Sequence, residues 1–313
     1  MRLDIRNRTL YAYDDWVAES QNEVRVAPLI DDRQHLIAYR LSVAPSSRSL
    51  AFTDYWGTRV DAFGVREPHL SLEIVAEAAV ETGEARPRPP TTGWDGLAEA
   101  AFRDRHDEYL ARTPHVDWGD AVATAAADAR ADDLVATVVG VHDLVRERLA
   151  YETGSTHIGI DVDRVLAEGH GVCQDFAHLA VAMCRSVGVP ARYVSGYLFT
   201  SSDRTGEDVE GDLVNVQTHA WFEAAVPSHG WMAMDPTNGR EVSVRHVKIG
   251  HGRDYDDVPP IRGAVSGSST GEVETDVEIR RMDPAQQAVV VQPPLTRPVP
   301  EPSTAQAQQQ QQQ

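Results

Sequence analysis

Three side chains in this 313-residue chain could together do covalent chemistry: the thiol of Cys173, the imidazole of His219 and the carboxyl of Asp235. Cys173 lies in Gly169-His170-Gly171-Val172-Cys173-Gln174-Asp175-Phe176, where a glycine-rich turn gives way to a helical repeat of Phe176, Leu179, Ala180, Met183 and Val187. Gly188 is placed to end that helix, and Pro190 prevents its continuation. At a helix start the backbone N–H groups are unpaired and the positive end of the dipole is near, so a thiol there ionises readily. His219 opens a strand over 218–226, followed by the turn Pro227-Ser228-His229-Gly230. A second strand over 231–234 runs into Asp235-Pro236-Thr237-Asn238-Gly239, which makes a hairpin with a four-residue loop. The proline after Asp235 holds that residue extended. A histidine near Cys173 would take its proton, and a carboxylate on the far ring nitrogen would fix the tautomer and stabilise the charged ring. Each residue alone has an ordinary reading, a buried cysteine or a strand histidine. In combination they point to attack on a carboxamide or peptide carbonyl, a thioester on Cys173, and proton delivery by His219.

The elements that must position these groups are legible as periodicities. Residues 36–43 and 70–78 alternate at period two, so residues 1–82 are expected to form a β-sandwich-like unit. Residues 83–96, with Pro87, Pro89 and Pro90, read as a linker. Leu134, Val138, Val141, Val145 and Leu149 fit one face of a helix, and a short helix is expected over 162–168. A strand over 191–198 follows the cysteine helix, residues 201–215 read as a charged mobile loop, and 270–281 as one more strand. The tail, 283–313, is rich in proline and glutamine and is expected to be disordered. One register problem stands out. If the hairpin closes symmetrically about Ser228 and His229, Asn238 lies opposite His219. Asp235 is then about 10 Å away along the strand, facing the wrong side. A triad needs a bulge or an asymmetric loop with an odd offset.

The motifs Gly-Val-Cys-Gln-Asp-Phe-Ala-His at 171–178, Val-Pro-Ala-Arg-Tyr-Val-Ser-Gly-Tyr at 189–197, Thr-His-Ala-Trp at 218–221 and Asp-Pro-Thr-Asn-Gly at 235–239 resemble the core of the bacterial transglutaminase-like family. Residues 22–25 and 55–58 resemble that family's N-terminal β domain, and 252–263 its post-core segment. The resemblance implies an α+β chain: an N-terminal β-sandwich-like domain, then a papain-like transglutaminase core over 97–282, whose helical lobe packs its cysteine helix on an antiparallel sheet. It implies Cys173 as nucleophile, His219 as base and then acid, and Asp235 as orienter. It also supplies the offset that brings Asp235 to His219. Family members include protein-crosslinking transglutaminases, peptidases and amidases; nothing in the sequence indicates a dedicated acceptor-amine site, which favours peptidase or amidase. An inactive scaffold on the same fold is the competing class.

Around the triad, Gln174 beside the thiol, Trp221 on the same strand face as His219, and Tyr197 are candidate substrate contacts, with core packing the rival reading for Trp221. Asp175 reads as a helix cap, His178 as a structural hydrogen-bonding residue and Cys184 as packing. His170 either tunes the thiol or faces solvent, the latter being favoured. Cys173 and Cys184 on one helix stand about 16 Å apart, beyond disulfide reach, and His178 points about 140° from Cys173, which disfavours a metal site there. A zinc site from Cys173, His219 and Asp235 lacks a fourth ligand, and no EF-hand loop is present, so neither metal nor cofactor is expected. The formal charge of −19 argues against nucleic acid as a partner. No apolar stretch reaches the ~20 residues of a membrane span, and no signal segment opens the chain. A cytoplasmic protein acting on a peptide or protein substrate is the expectation, with no membrane partner. Lys248 is the only lysine, which makes self-crosslinking through lysine a poor idea.

Overall fold

Period-two alternation in the first 82 residues becomes two facing antiparallel sheets in the computed structural model, which describes residues 1–89, 91–154, 159–200, 213–266 and 271–282. The first sheet runs β10 (Leu213–Val216), β16 (Gly271–Arg281), β1 (Arg2–Val17), β6 (His69–Thr82), β3 (Gln34–Ala44). The second runs β15 (Ile261–Ser266), β2 (Glu19–Val24), β5 (Arg59–Val65), β4 (Ser49–Thr53). Inward residues of both alternate with outward ones and meet in a core of Val24, Phe63 and Val65 against Leu72, Ile74 and Ala76.

The last two strands correct the expected division of the chain. The 97–282 unit does not close on itself: β16 pairs with β1 along its whole length and β15 pairs with β2. The N-terminal sandwich is therefore completed by the C-terminal end of the described chain. The sequence predicts a strand over 270–281 but says nothing about its partner, since pairing is a long-range property, and the 261–266 strand is not foreseen. Residues 213–215, expected to be loop, belong to β10, which runs to Val216 on the outer edge of β16. Residues 201–212 and the 283–313 tail lie outside the described residues. The 83–96 linker is tied down rather than loose: the Thr92 N–H donates to Asp133 at 2.6 Å and its carbonyl accepts from Leu134 at 2.8 Å. It ends in a short 3-10 helix, Trp94–Ala98.

The second unit is a sheet of order β13 (Arg240–Glu241), β12 (Gly230–Asp235), β11 (His219–Val226), β9 (Ala191–Leu198), β14 (His246–Gly252). After α1 (Ala100–His106), helices α2 (Asp120–Asp128), α3 (Leu134–Arg148), α4 (Val162–Glu168) and α5 (Cys173–Ser186) bury their apolar faces beside it. All five residues of the predicted α3 face are buried, with Asp133 capping the helix through the Ala136 N–H at 2.7 Å. A two-residue parallel ladder, β7 (Ala150–Tyr151) with β8 (His170–Gly171), leads directly into α5. The sheet's Tyr197, Val247 and Ile249 pack on Leu3, Val80 and Ile279 of the first sheet, joining the two units through one apolar layer.

Candidate active site

Cys173 is the first residue of α5 and half-buried. The turn is held by Asp175: its carboxylate accepts from the Val172 N–H at 2.8 Å, while the Asp175 N–H donates to the Val172 carbonyl at 2.9 Å. That is the capping role expected of a first-turn carboxylate. Cys173 packs against the cluster of Ala177, Tyr193, Ala220 and Val258, and it interacts electrostatically with the His219 ring. Cys184 is buried in the helical core, where desolvation pushes its thiol up to about 12.

The hairpin resolves the register problem without a bulge. Its strands pair Phe222 with Met234 and Val226 with Gly230, leaving a three-residue loop, 227–229, with Ser228 at φ 64°. This shifts the register by one residue from the symmetric four-residue closure. Asp235 falls opposite Trp221, hence on the same face as His219 and diagonal to it. The His219 Nε2 lies 2.9 Å from Asp235 Oδ2. Asn238, predicted to lie opposite His219 in the symmetric case, folds back instead: its backbone N–H donates to Asp235 Oδ1 at 3.2 Å and its amide to Oδ2 at 2.7 Å. Burial alone would drive the His219 ring toward neutrality. The Asp235 charge and hydrogen bond, aided by Cys173, outweigh burial and push the ring up to about 10. Burial would likewise raise Asp235, but His219 and the hydrogen bonds from His219 and His246 hold it well below the usual carboxylate range.

Two of the candidate substrate contacts are corrected. Trp221 and Tyr197 are each 1 % exposed, so neither lines a cleft. Trp221 is packed over Gly196, where a Cβ would meet its ring, and the Tyr197 hydroxyl donates to the Val26 carbonyl at 3.0 Å in the sandwich. Strand alternation says which residues share a face, not what covers that face. Gln174 is half-buried beside the thiol. His178 matches its structural reading: it is buried, stacks on His115, and accepts the Tyr255 N–H at 3.2 Å, so it straps the 254–258 segment to α5. Burial holds it neutral, far below its ordinary titration. His170 is half-buried on β8, its Nδ1 3.8 Å from Glu152.

Two residues of the site were missed by sequence reasoning. Tyr151, paired with Gly171 in the β7–β8 ladder, is 53 % exposed, and its ring lies 6.5 Å from Phe176 on the first turn of α5. Burial, and secondarily its nearness to Cys173, pushes its hydroxyl up. His246 on β14 places Nε2 3.1 Å from Asp235 Oδ2 and is fully buried. The ligand-type atoms that converge are those of His219, Asp235 and His246, not the Cys173, His219 and Asp235 set considered from the sequence. The Ser243 N–H donates to His246 Nδ1 at 3.1 Å, so Nε2 carries the ring proton and has no lone pair for a metal.

A buried carboxylate on a charged imidazole, itself on a helix-start thiol, is the arrangement expected of a papain-like core. Comparisons with known proteins agree. Residues 121–236 match the model of the transglutaminase-like superfamily core, and residues 3–81 that of the bacterial transglutaminase-like N-terminal region. An uncharacterized protein of Mycobacterium leprae is 36 % identical over 283 residues, spanning 90 % of this chain and 99 % of the relative. An uncharacterized protein of Mycobacterium tuberculosis is 33 % identical over 294 residues, spanning 89 % and 92 %. A crystal structure from Cytophaga hutchinsonii, provisionally described as a cysteine protease, superimposes with a TM-score of 0.71 at 23 % identity, covering 90 % of this chain and 92 % of that one. From both of its regions and from relatives matched over nearly their whole length, this chain belongs to the bacterial transglutaminase-like family.

Proposed function

We propose that the protein is a thiol-dependent acyl-transfer enzyme acting on peptide or glutamine amide bonds. The observation that carries this reading is the His219 ring, which interacts with Cys173 on one side and is hydrogen-bonded to a fully buried Asp235 at 2.9 Å on the other. In the first half-reaction the Cys173 sulfur attacks the carbonyl carbon as the thiolate, its proton being the one held on His219, and the C–N bond breaks. His219 gives its proton to the departing amine, leaving an acyl thioester. In the second, water or another amine attacks that carbonyl while His219 takes its proton, and Cys173 leaves as the thiolate, restoring the starting pair with the charged His219. Asp235 stays ionised throughout and keeps the imidazole oriented. The backbone N–H of Cys173, at the start of α5, is the natural donor to the oxyanion. Gln174 and the exposed Tyr151 ring are the side chains best placed to meet the substrate.

Hydrolysis is favoured over crosslinking, because no sequence feature points to a dedicated acceptor-amine site. Cys173→Ala is expected to abolish both iodoacetamide labelling and release of amine from amide substrates. Labelling is interpretable because Cys184 is buried and its thiol is pushed up to about 12. Undiminished amide turnover by the folded variant defeats the assignment. Running the wild-type assay with a glutamine peptide, with and without a primary amine, separates hydrolysis from transamidation.

A further inference from the structure

His219 and His246 approach the same carboxylate oxygen, Asp235 Oδ2, at 2.9 and 3.1 Å. His246 sits on β14 with no exposed surface and has the Trp221 ring edge-on at 5.4 Å. Its Nδ1 accepts the Ser243 backbone N–H at 3.1 Å, and a ring nitrogen that accepts carries no proton. The proton is therefore on Nε2, facing Asp235. The charged groups that face this ring are Asp235 from β12, His219 from β11 and Arg33 from the turn before β3; burial and the two cations keep it neutral against the pull of Asp235. Two imidazoles thus share one carboxylate in different protonation states.

We propose that His246 is a positioning residue that divides the Asp235 carboxylate with His219, fixing its orientation and loosening its hold on the His219 proton. A neutral donor stabilises the carboxylate most when His219 has given up its proton and the negative charge is uncompensated. Together with the Asn238 amide, which donates to the same oxygen at 2.7 Å, His246 thereby favours the state that follows proton delivery to the leaving amine, a state that an unshared Asp235 charge would oppose. The purpose of this device rests on the acyl-transfer reading, but its measurement does not, because the His219 titration needs no substrate.

The test uses the full chain labelled with 15N-histidine, the His219 signals being assigned against His219→Gln and followed from about pH 6 to about pH 11. His246→Phe keeps the ring shape without its N–H, whereas His246→Gln returns an amide N–H near the Nε2 position. In His246→Phe, His219 is expected to keep its proton about one pH unit higher than in the wild type, a roughly tenfold gain in proton affinity. His246→Gln should follow the wild type. If the phenylalanine variant fails to fold, His246→Asn makes the same comparison, since its amide can accept the Ser243 N–H but falls short of Asp235. A His219 titration that is unmoved or lowered in the folded variant overturns the proposal. That result would leave the Cys173→Ala outcome, and the reading it tests, untouched.

Discussion

A buried imidazole that stays charged alters how the chain responds to pH. Folded His219 keeps its proton to about 10, whereas an unfolded histidine loses it near ~6.5. Between those values the folded state binds more protons than the unfolded state, so stability falls as pH rises. The contribution of His219 is complete below about pH 6.5 and is lost as the pH climbs through about 10. Asp235 behaves oppositely: its lowered titration contributes above the usual carboxylate range and is lost as the pH falls. We expect the melting temperature of the wild type to exceed that of His219→Gln most near pH 6, with the gap closing toward pH 10. A gap that does not vary with pH would mean that His219 is neutral in the folded protein. At this scale the triad residues were readable from their types and flanking turns. His246 was not: its strand was not foreseen, and a histidine there looks like any other until burial and Ser243 define its proton.

Strand parity decides whether the triad can assemble. A three-residue loop at 227–229 puts Asp235 on the face of His219, where a symmetric four-residue loop would have turned it away. Both loop lengths suit the same turn residues, so the local sequence left the choice open. The companion strand β9 constrains the same face from the other side. Gly196 pairs with His219 and with Lys248, and a Cβ there would run into the Val247 carbonyl and the Trp221 ring. The carbonyl is backbone held in a ladder and cannot swing aside. Gly196→Ala is therefore expected to destabilise by about 1–3 kcal/mol and to slow Cys173 alkylation by displacing His219. Wild-type thermal stability and alkylation rate in that variant would show that β9 yields more easily than its packing implies. Helix α5, by contrast, was legible throughout: its apolar repeat, its glycine-rich entry and Gly188 at φ 85° all follow from nearby residues.

The whole molecule is closed by its last described strands. β16 runs beside β1 and places Val277 and Ile279, both fully buried, in the layer that joins the sandwich to the site-bearing sheet. The same junction is clamped by Gln34, whose side chain accepts the Lys248 N–H at 2.8 Å and donates to its carbonyl at 2.6 Å. Beside it the Lys248 ammonium and Arg192 enclose Glu223, the lysine at 2.7 and 2.9 Å, so the only lysine of the chain is committed to a buried ion network. Removing residues 261–313 is expected to prevent stable folding even though Cys173, His219 and Asp235 all remain; recovery of a soluble, cooperatively melting 1–260 chain would contradict this. By itself, the sequence determined the reactive residues, the helix that carries the thiol, the strands of the catalytic hairpin with several others, and the family. Those features rest on periodicities and turn chemistry spanning a few residues. Only the tertiary structure decided which strands pair across more than two hundred residues, which strand faces are covered, and that a second imidazole shares the carboxylate. Such outcomes depend on packing between segments whose separation along the chain carries no local signal.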